Sequence, residues 1–281
     1  MGTGRSGLAK GIRDKSGHSA IQSLRIKSRS TGYELIGTEQ SLGPYEKYLN
    51  RYIDELARFQ RAMKETEDII NSAGGSVSIA KLAMDTLGNT DANGVVTLNS
   101  LRIQDINALL DTLPHEHTHN LVSSLIVKEL GFERGSYEHY AAFGDGIIEH
   151  SINTEALEKY KKYMRRQYDR QIKEAQSEFA KTDPKYHDML RFGIDGATRD
   201  KMKLDTLTIA DASKASGMRS YARHQYTRAP KGHYIEMPTV AAEKLVSSGY
   251  SFKKLLETSP YSYFVLQTTY HRLHKGKNKK K

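Results

Sequence analysis

The segment Leu113-Pro114-His115-Glu116-His117-Thr118-His119-Asn120 sets three imidazoles and a carboxylate within positions 115–119. Residues four apart on a helix share a face, so His115 and His119 can hold one metal ion between them. Glu116 follows His115 directly. Its carboxylate then lies beside the ion, where it can take a proton from an activated water. Two neutral imidazoles and a carboxylate suit zinc, which keeps one coordination position open in catalytic sites. His117 points away from the pair. The plainer reading of such a cluster is a solvated helix N-terminus that binds nothing. The chain has no cysteine. Disulfides, thiolate metal sites and cysteine nucleophiles are therefore excluded, and a metal must sit on His, Asp or Glu.

H-E-x-x-H with the strand-like Gly94-Val-Val-Thr-Leu98-Asn99 upstream resembles the zincin metallopeptidases, over residues about 94–157. The resemblance implies a small sheet packed on two helices, one with the motif and one with a third ligand. It also implies an edge strand that holds a peptide substrate extended, a bound Zn2+, and Glu116 as general base. Asp145-Gly-Ile-Ile-Glu149-His-Ser-Ile-Asn153-Thr-Glu-Ala156 is similar to the glutamate helix of gluzincins, E-x-x-A-N-x-F-A. Ile152 replaces its alanine and Glu155 its phenylalanine. On this resemblance Glu149, thirty positions after His119, is the expected third ligand. Glu138, His139, His150, Glu236 and Glu243 are the other candidates. An ordinary helix-start carboxylate is the plainer reading of Glu149. The class also uses a Tyr, His or Arg near the scissile carbonyl, and Tyr137, Tyr140, His150 and Tyr234 are the candidates.

These residues need elements to position them. Apolar spacing from Tyr45 to Phe59 predicts a helix to about Asn71. Val95–Leu98 reads as a strand. Ile106, Leu109 and Leu110 belong to a helix, and Pro114 predicts a fresh start or a kink near Leu113. Leu121, Leu125, Ile126 and Leu130 continue to Gly131, a suitable C′ glycine. Residues 131–146 read as a connection. A long helix is expected from about Asp145 to Lys181, its charged second half standing in solvent or against a partner. Residues 185–232 have no clear pattern. Thr239 to Leu256 looks helical, and Tyr261 to Tyr270 is apolar enough for core.

The predicted fold class is α+β, a zincin-like core with helical additions and basic terminal arms. The expected division is an extended arm at 1–43, a metallopeptidase domain at 44–270 and a basic tail at 271–281. The net charge is +10 over 281 residues, and the excess gathers at the ends. Arg5, Lys10, Arg13, Lys15, Arg25, Lys27 and Arg29 face only Asp14 in the first 30 positions. Such arms suit nucleic acid or a neighbouring subunit, or are merely solubilising. The chain also looks like the small HExxH domains of phage and mobile-element proteins. That gives a second reading, a virion head–tail or tail protein whose site is structural, and a third, a delivered toxin peptidase. No run of about 18 apolar residues exists, so no membrane-spanning helix is expected. Residues 1–30 lack the apolar region of a secretory signal, which points to the cytoplasm or a virion.

Overall fold

Among the described residues the strands lie before position 100 and the helices after it. The computed structural model describes residues 23–27, 34–38, 76–80, 82–84, 86–91, 94–99, 101–102, 106–179, 181–223, 229–249 and 251–274, with backbone alone before 81 and at 106–111 and 113. The helix expected over 45–71 lies outside the described residues.

Five strands form one mixed sheet in the order β1-β2-β3-β5-β4. They are β1 (Ser23–Lys27), β2 (Glu34–Thr38), β3 (Ser76–Ala80), β4 (Gly88–Thr90) and β5 (Val95–Asn99). β1 and β2 pair antiparallel, β2, β3 and β5 run parallel, and β4 closes one edge antiparallel to β5. Two expectations change here. Part of the supposed arm supplies β1 and β2, so Arg25 and Lys27 stand on a strand. The strand at 95–99 is present but interior, and the edge is Gly88–Thr90, a stretch whose Gly and Asn content read as turn. Gly94, at φ +82, makes the reversal into β5. A Cβ there would lie 2.2 Å from Asn120 Oδ1, so no larger residue fits.

The first described helix, α1 (Ile106–Leu130), runs through Pro114 without a break in the assignment. The fresh start expected at Leu113 does not occur. Pro114 is buried, and its carbonyl accepts an extra bond from Thr118 Oγ1 at 2.8 Å. From His117 to Val122 every side chain is buried. Burial on all sides means that the helix is sandwiched. The edge strand β4 and its neighbour β5 pack on it, and so do α6 (Met237–Ser247) and α8 (Pro260–His274). Gly131 ends it at φ +73, as expected.

The supposed connection at 131–146 contains α2 (Tyr137–Asp145), capped by Ser136 Oγ on the His139 N–H and closed by the left-handed Gly146. α3 (Ile147–Phe179) follows. Its buried stripe includes Ile148, Ile152, Ala156, Leu157 and Tyr160. The charged second half meets the chain itself. The unpatterned region folds as α4 (His187–Lys203), which turns back on α3 with half-buried positions at 187, 190, 194, 197 and 201. Lys201 pairs with Asp169 at 2.5 Å and Arg165 with Asp205. α5 (Ile209–Ala215) and a 3-10 turn (Ser220–Arg223) complete this stretch. The helix expected over 239–256 is two, α6 and α7 (Phe252–Thr258), broken at Gly249 with φ +66. The core joins α1, α3, α6 and α8. No helix among the described residues is long and apolar enough to cross a membrane.

Asn99, fully buried at the end of β5, ties the approach to the edge strand. Its Nδ2 donates to the carbonyls of Ala83 (2.8 Å) and Thr86 (2.7 Å), and its Oδ1 accepts from the Leu82 (3.2 Å) and Leu101 (3.1 Å) amides. Asn99→Ala strips four backbone groups of their partner. The expected loss is about 2 kcal/mol of stability in urea unfolding, since each half-buried orphan regains some water.

Candidate metal centre

α1 presents His115 and His119 on one face, and the N-terminus of α6 brings Glu236 against them. Glu236 Oε2 lies 3.1 Å from His115 Nε2 and 3.5 Å from His119 Nε2. One ligand atom from each of the three residues falls within a 4.8 Å cluster. Ligands bonded to zinc at about 2.05 Å with tetrahedral angles stand about 3.3 Å apart. The two spacings from Glu236 match the edges of such a tetrahedron. Three protein ligands leave the fourth corner open, and the donor set fits a divalent transition metal.

The carboxylate brought to the imidazoles is thus Glu236, where the sequence favoured Glu149. Glu149 is buried in the first turn of α3, and neither of its oxygens has a hydrogen-bond partner. Glu243 stands two helical turns after Glu236 on the same face of α6. It takes the supporting place, 2.9 Å from His115 Nδ1, while its other oxygen is 3.5 Å from Arg219. A carboxylate behind a ligand imidazole fixes its tautomer and orientation.

α3 holds the segment that delivers Glu236. Asn153 Nδ2 donates to the carbonyls of His233 (3.0 Å) and Tyr234 (3.2 Å). A Cβ on Gly146 would lie 2.6 Å from Ile235, so glycine leaves the room that Ile235 fills. Tyr234 takes φ +49, a rare conformation for a non-glycine residue. Thr239 Oγ1 lies 3.1 Å from Glu236 Oε2 and 2.8 Å from its carbonyl.

Glu116 is buried on the β4 side of α1. Thr90 Oγ1 is 2.6 Å from its Oε2 and 3.0 Å from its carbonyl. A Cβ on Gly88 would lie 3.0 Å from Glu116 Cγ and 3.1 Å from Oε1, so the edge strand lies directly on this carboxylate. His117 is buried, and burial pushes it down to about 3, which keeps it neutral.

The other expected site residues are spread around this centre. His150 is exposed and stacks on His233 with ring centroids 4.4 Å apart. Tyr137 and Tyr140 project from α2 into solvent, and Tyr234 is half-buried. Glu138 is exposed, and buried His139 meets Ser123 Oγ at 3.1 Å. Arg5, Lys10, Arg13, Lys15 and Arg29 lie outside the described residues. Tyr221 was not anticipated. Its ring centroid is 6.0 Å from that of His115, on a turn in the stretch where the sequence showed no period. No protein-family model matches the chain, and no curated protein or solved structure shows significant similarity to it.

The electrostatics follow from burial. Desolvation alone would lower the His115 pKa. Hydrogen bonds to Glu236 and Glu243, with the charges of Glu236 and Glu116, override it and raise it to about 10. Burial likewise opposes ionisation of Glu236, but the two imidazoles hold it well below the carboxylate range. For Glu149 burial outweighs the help of its own backbone amide and, aided by the charge of Glu236, pushes it up to about 8. His115 and Glu149 are both raised above their unfolded values. Their stabilising effect is full below the unfolded pKa and is lost as pH climbs through the folded one. Metal-free protein should therefore melt at steadily lower temperature from pH 6 to 9. A metal must displace the His115 proton, so zinc affinity should rise about tenfold per pH unit in the same range, with proton release in calorimetry. A pH-independent affinity would refute the assignment of His115 as a ligand.

Proposed function

We propose that the chain is a zinc-dependent hydrolase of peptide bonds, with His115, His119 and Glu236 as ligands and Glu116 as general base. The observation that carries this reading is the His115/His119/Glu236 cluster with a carboxylate next to it in sequence. These residues would hold a zinc ion, which when bound would supply Lewis acidity to the scissile carbonyl and the attacking water. Glu116 takes the water's proton and passes it to the leaving amine. Thr90 keeps the Glu116 carboxylate in place beneath the edge strand. Among the described residues β4 is the outer strand of the sheet, lying on Glu116, and such an edge suits an extended peptide. Glu243 holds His115 by its second nitrogen. Tyr221, beside His115 and part-exposed, is the hydroxyl we assign to the developing oxyanion. The zincin-like core is part of the same proposal. Its support is the sheet edge on the motif helix, together with a third ligand delivered from another helix.

The test is elemental analysis with a peptide-hydrolysis assay. Wild type should carry about one zinc per chain, and His115→Ala and Glu236→Ala should carry none. Glu116→Gln should keep the zinc and lose roughly 10²–10⁴-fold in rate. Full activity in Glu116→Gln would end the general-base assignment. A wild type that takes up no zinc would end the metal reading altogether. Gly88→Ala is the finer probe. The added methyl must push Glu116 or Thr112 by a few tenths of an ångström. Zinc content should hold while the rate falls roughly tenfold.

A further inference from the structure

Beneath the segment that carries Glu236 lie three oxygens that nothing satisfies. Glu149 and Asn153 stand four residues apart on α3, so they share a face. Both side chains are completely buried. Both carboxylate oxygens of Glu149 and the Oδ1 of Asn153 lack a hydrogen-bond partner. The Asn153 amide is not open to reassignment. Its nitrogen donates to two carbonyls, of His233 and Tyr234, so the oxygen must be the atom that points the other way.

Metal-free, Glu149 keeps its proton at neutral pH; once a cation displaces that proton, every unsatisfied atom in this group is an acceptor. Neighbouring donors would normally meet such atoms, because a buried acceptor left alone costs about 1–3 kcal/mol, and more when charged. Acceptors without donors, beside a second carboxylate, are the arrangement that a cation completes. We propose that Glu149 and Asn153 form a second, oxygen-only cation site next to the His115/His119/Glu236 centre, of the kind that takes calcium.

Helical spacing permits such a site. Oxygens on opposite sides of a calcium ion stand about 4.6–5.2 Å apart, from bonds of about 2.3–2.6 Å. Side chains one helical turn apart have Cβ atoms about 5–6 Å apart, and theirs can close on one ion. The ligand type excludes zinc, which prefers nitrogen and sulfur donors. Magnesium is disfavoured because it keeps several waters, and both side chains are shut off from solvent. Main-chain carbonyls would have to complete the shell. An ion there also ties α3 to the 233–236 segment. It therefore acts on the placement of Glu236 without touching a substrate.

The site does not depend on the proposed hydrolysis, and one experiment separates the two. Metal-free full-length protein is titrated with terbium, a luminescent stand-in for calcium, while tyrosine is excited. Tyr261 donates its hydroxyl to the Asn153 carbonyl at 3.1 Å, so it lies at sensitising range. Wild type should give tyrosine-sensitised emission that calcium displaces at one equivalent, and His115→Ala should give the same. Glu149→Gln should bind terbium at least tenfold more weakly while retaining its zinc. Three results would overturn the inference. They are no calcium-displaceable emission from folded wild type, unchanged emission from Glu149→Gln, or loss of zinc from Glu149→Gln. The last would mean that Glu149 serves the imidazole centre. As a check free of any variant, calcium should raise the melting temperature of zinc-saturated wild type, and no rise would count against the site. Terbium binding without zinc binding would instead sink the hydrolase reading alone.

Discussion

The arrangement turns on a buried negative charge. Glu236 is shut away from water at the start of α6, and an ionised carboxylate in that position is tolerated only when positive charge or strong donors face it. His115 and His119 face it. α1 must therefore lie against α6 with its motif face inward, and it does so with hardly any solvent on its central turns. The three groups form one charge-paired cluster that binds the two helices together.

The surrounding structure keeps that encounter in register. Behind His115 stands Glu243, and behind Glu243 stands Arg219. Beneath Glu236, Asn153 grips the chain that leads to it, and Gly146 leaves space for Ile235. On the opposite flank Thr90 and Gly88 confine Glu116. A side chain fixed by packing and by a partner behind it has little entropy left to lose at the site.

The sequence showed one half of this centre clearly. His115, Glu116 and His119 are legible because their spacing is a helical period, and a local period survives whatever the tertiary fold does. Glu236 is not local. It meets the histidines only through the packing of α6 on α1, which no short window of sequence contains. A signal was nevertheless present. Glu236 and Glu243 are seven residues apart, hence on one face of a helix, and Pro238 marks that helix's start. Glu149 attracted attention because a carboxylate in a helical first turn with Asn four residues on matched a familiar pattern. Its burial agrees with some special role. β4 was hidden for another reason. Three residues with Gly and Asn have no strand propensity, and they pair because β5 offers an edge. α4 showed no usable period because its inner face is only half-buried.

The distance along the chain between the ligands has a consequence for biosynthesis. His119 and Glu236 are 117 residues apart. A ribosome working at about 5–20 residues per second needs roughly 6–23 s to cover that interval. Throughout it the nascent chain displays the two imidazoles without Glu236. The proposed metal centre is complete only once α6 has emerged and docked, so metal uptake by the nascent chain would report that the C-terminal part has folded.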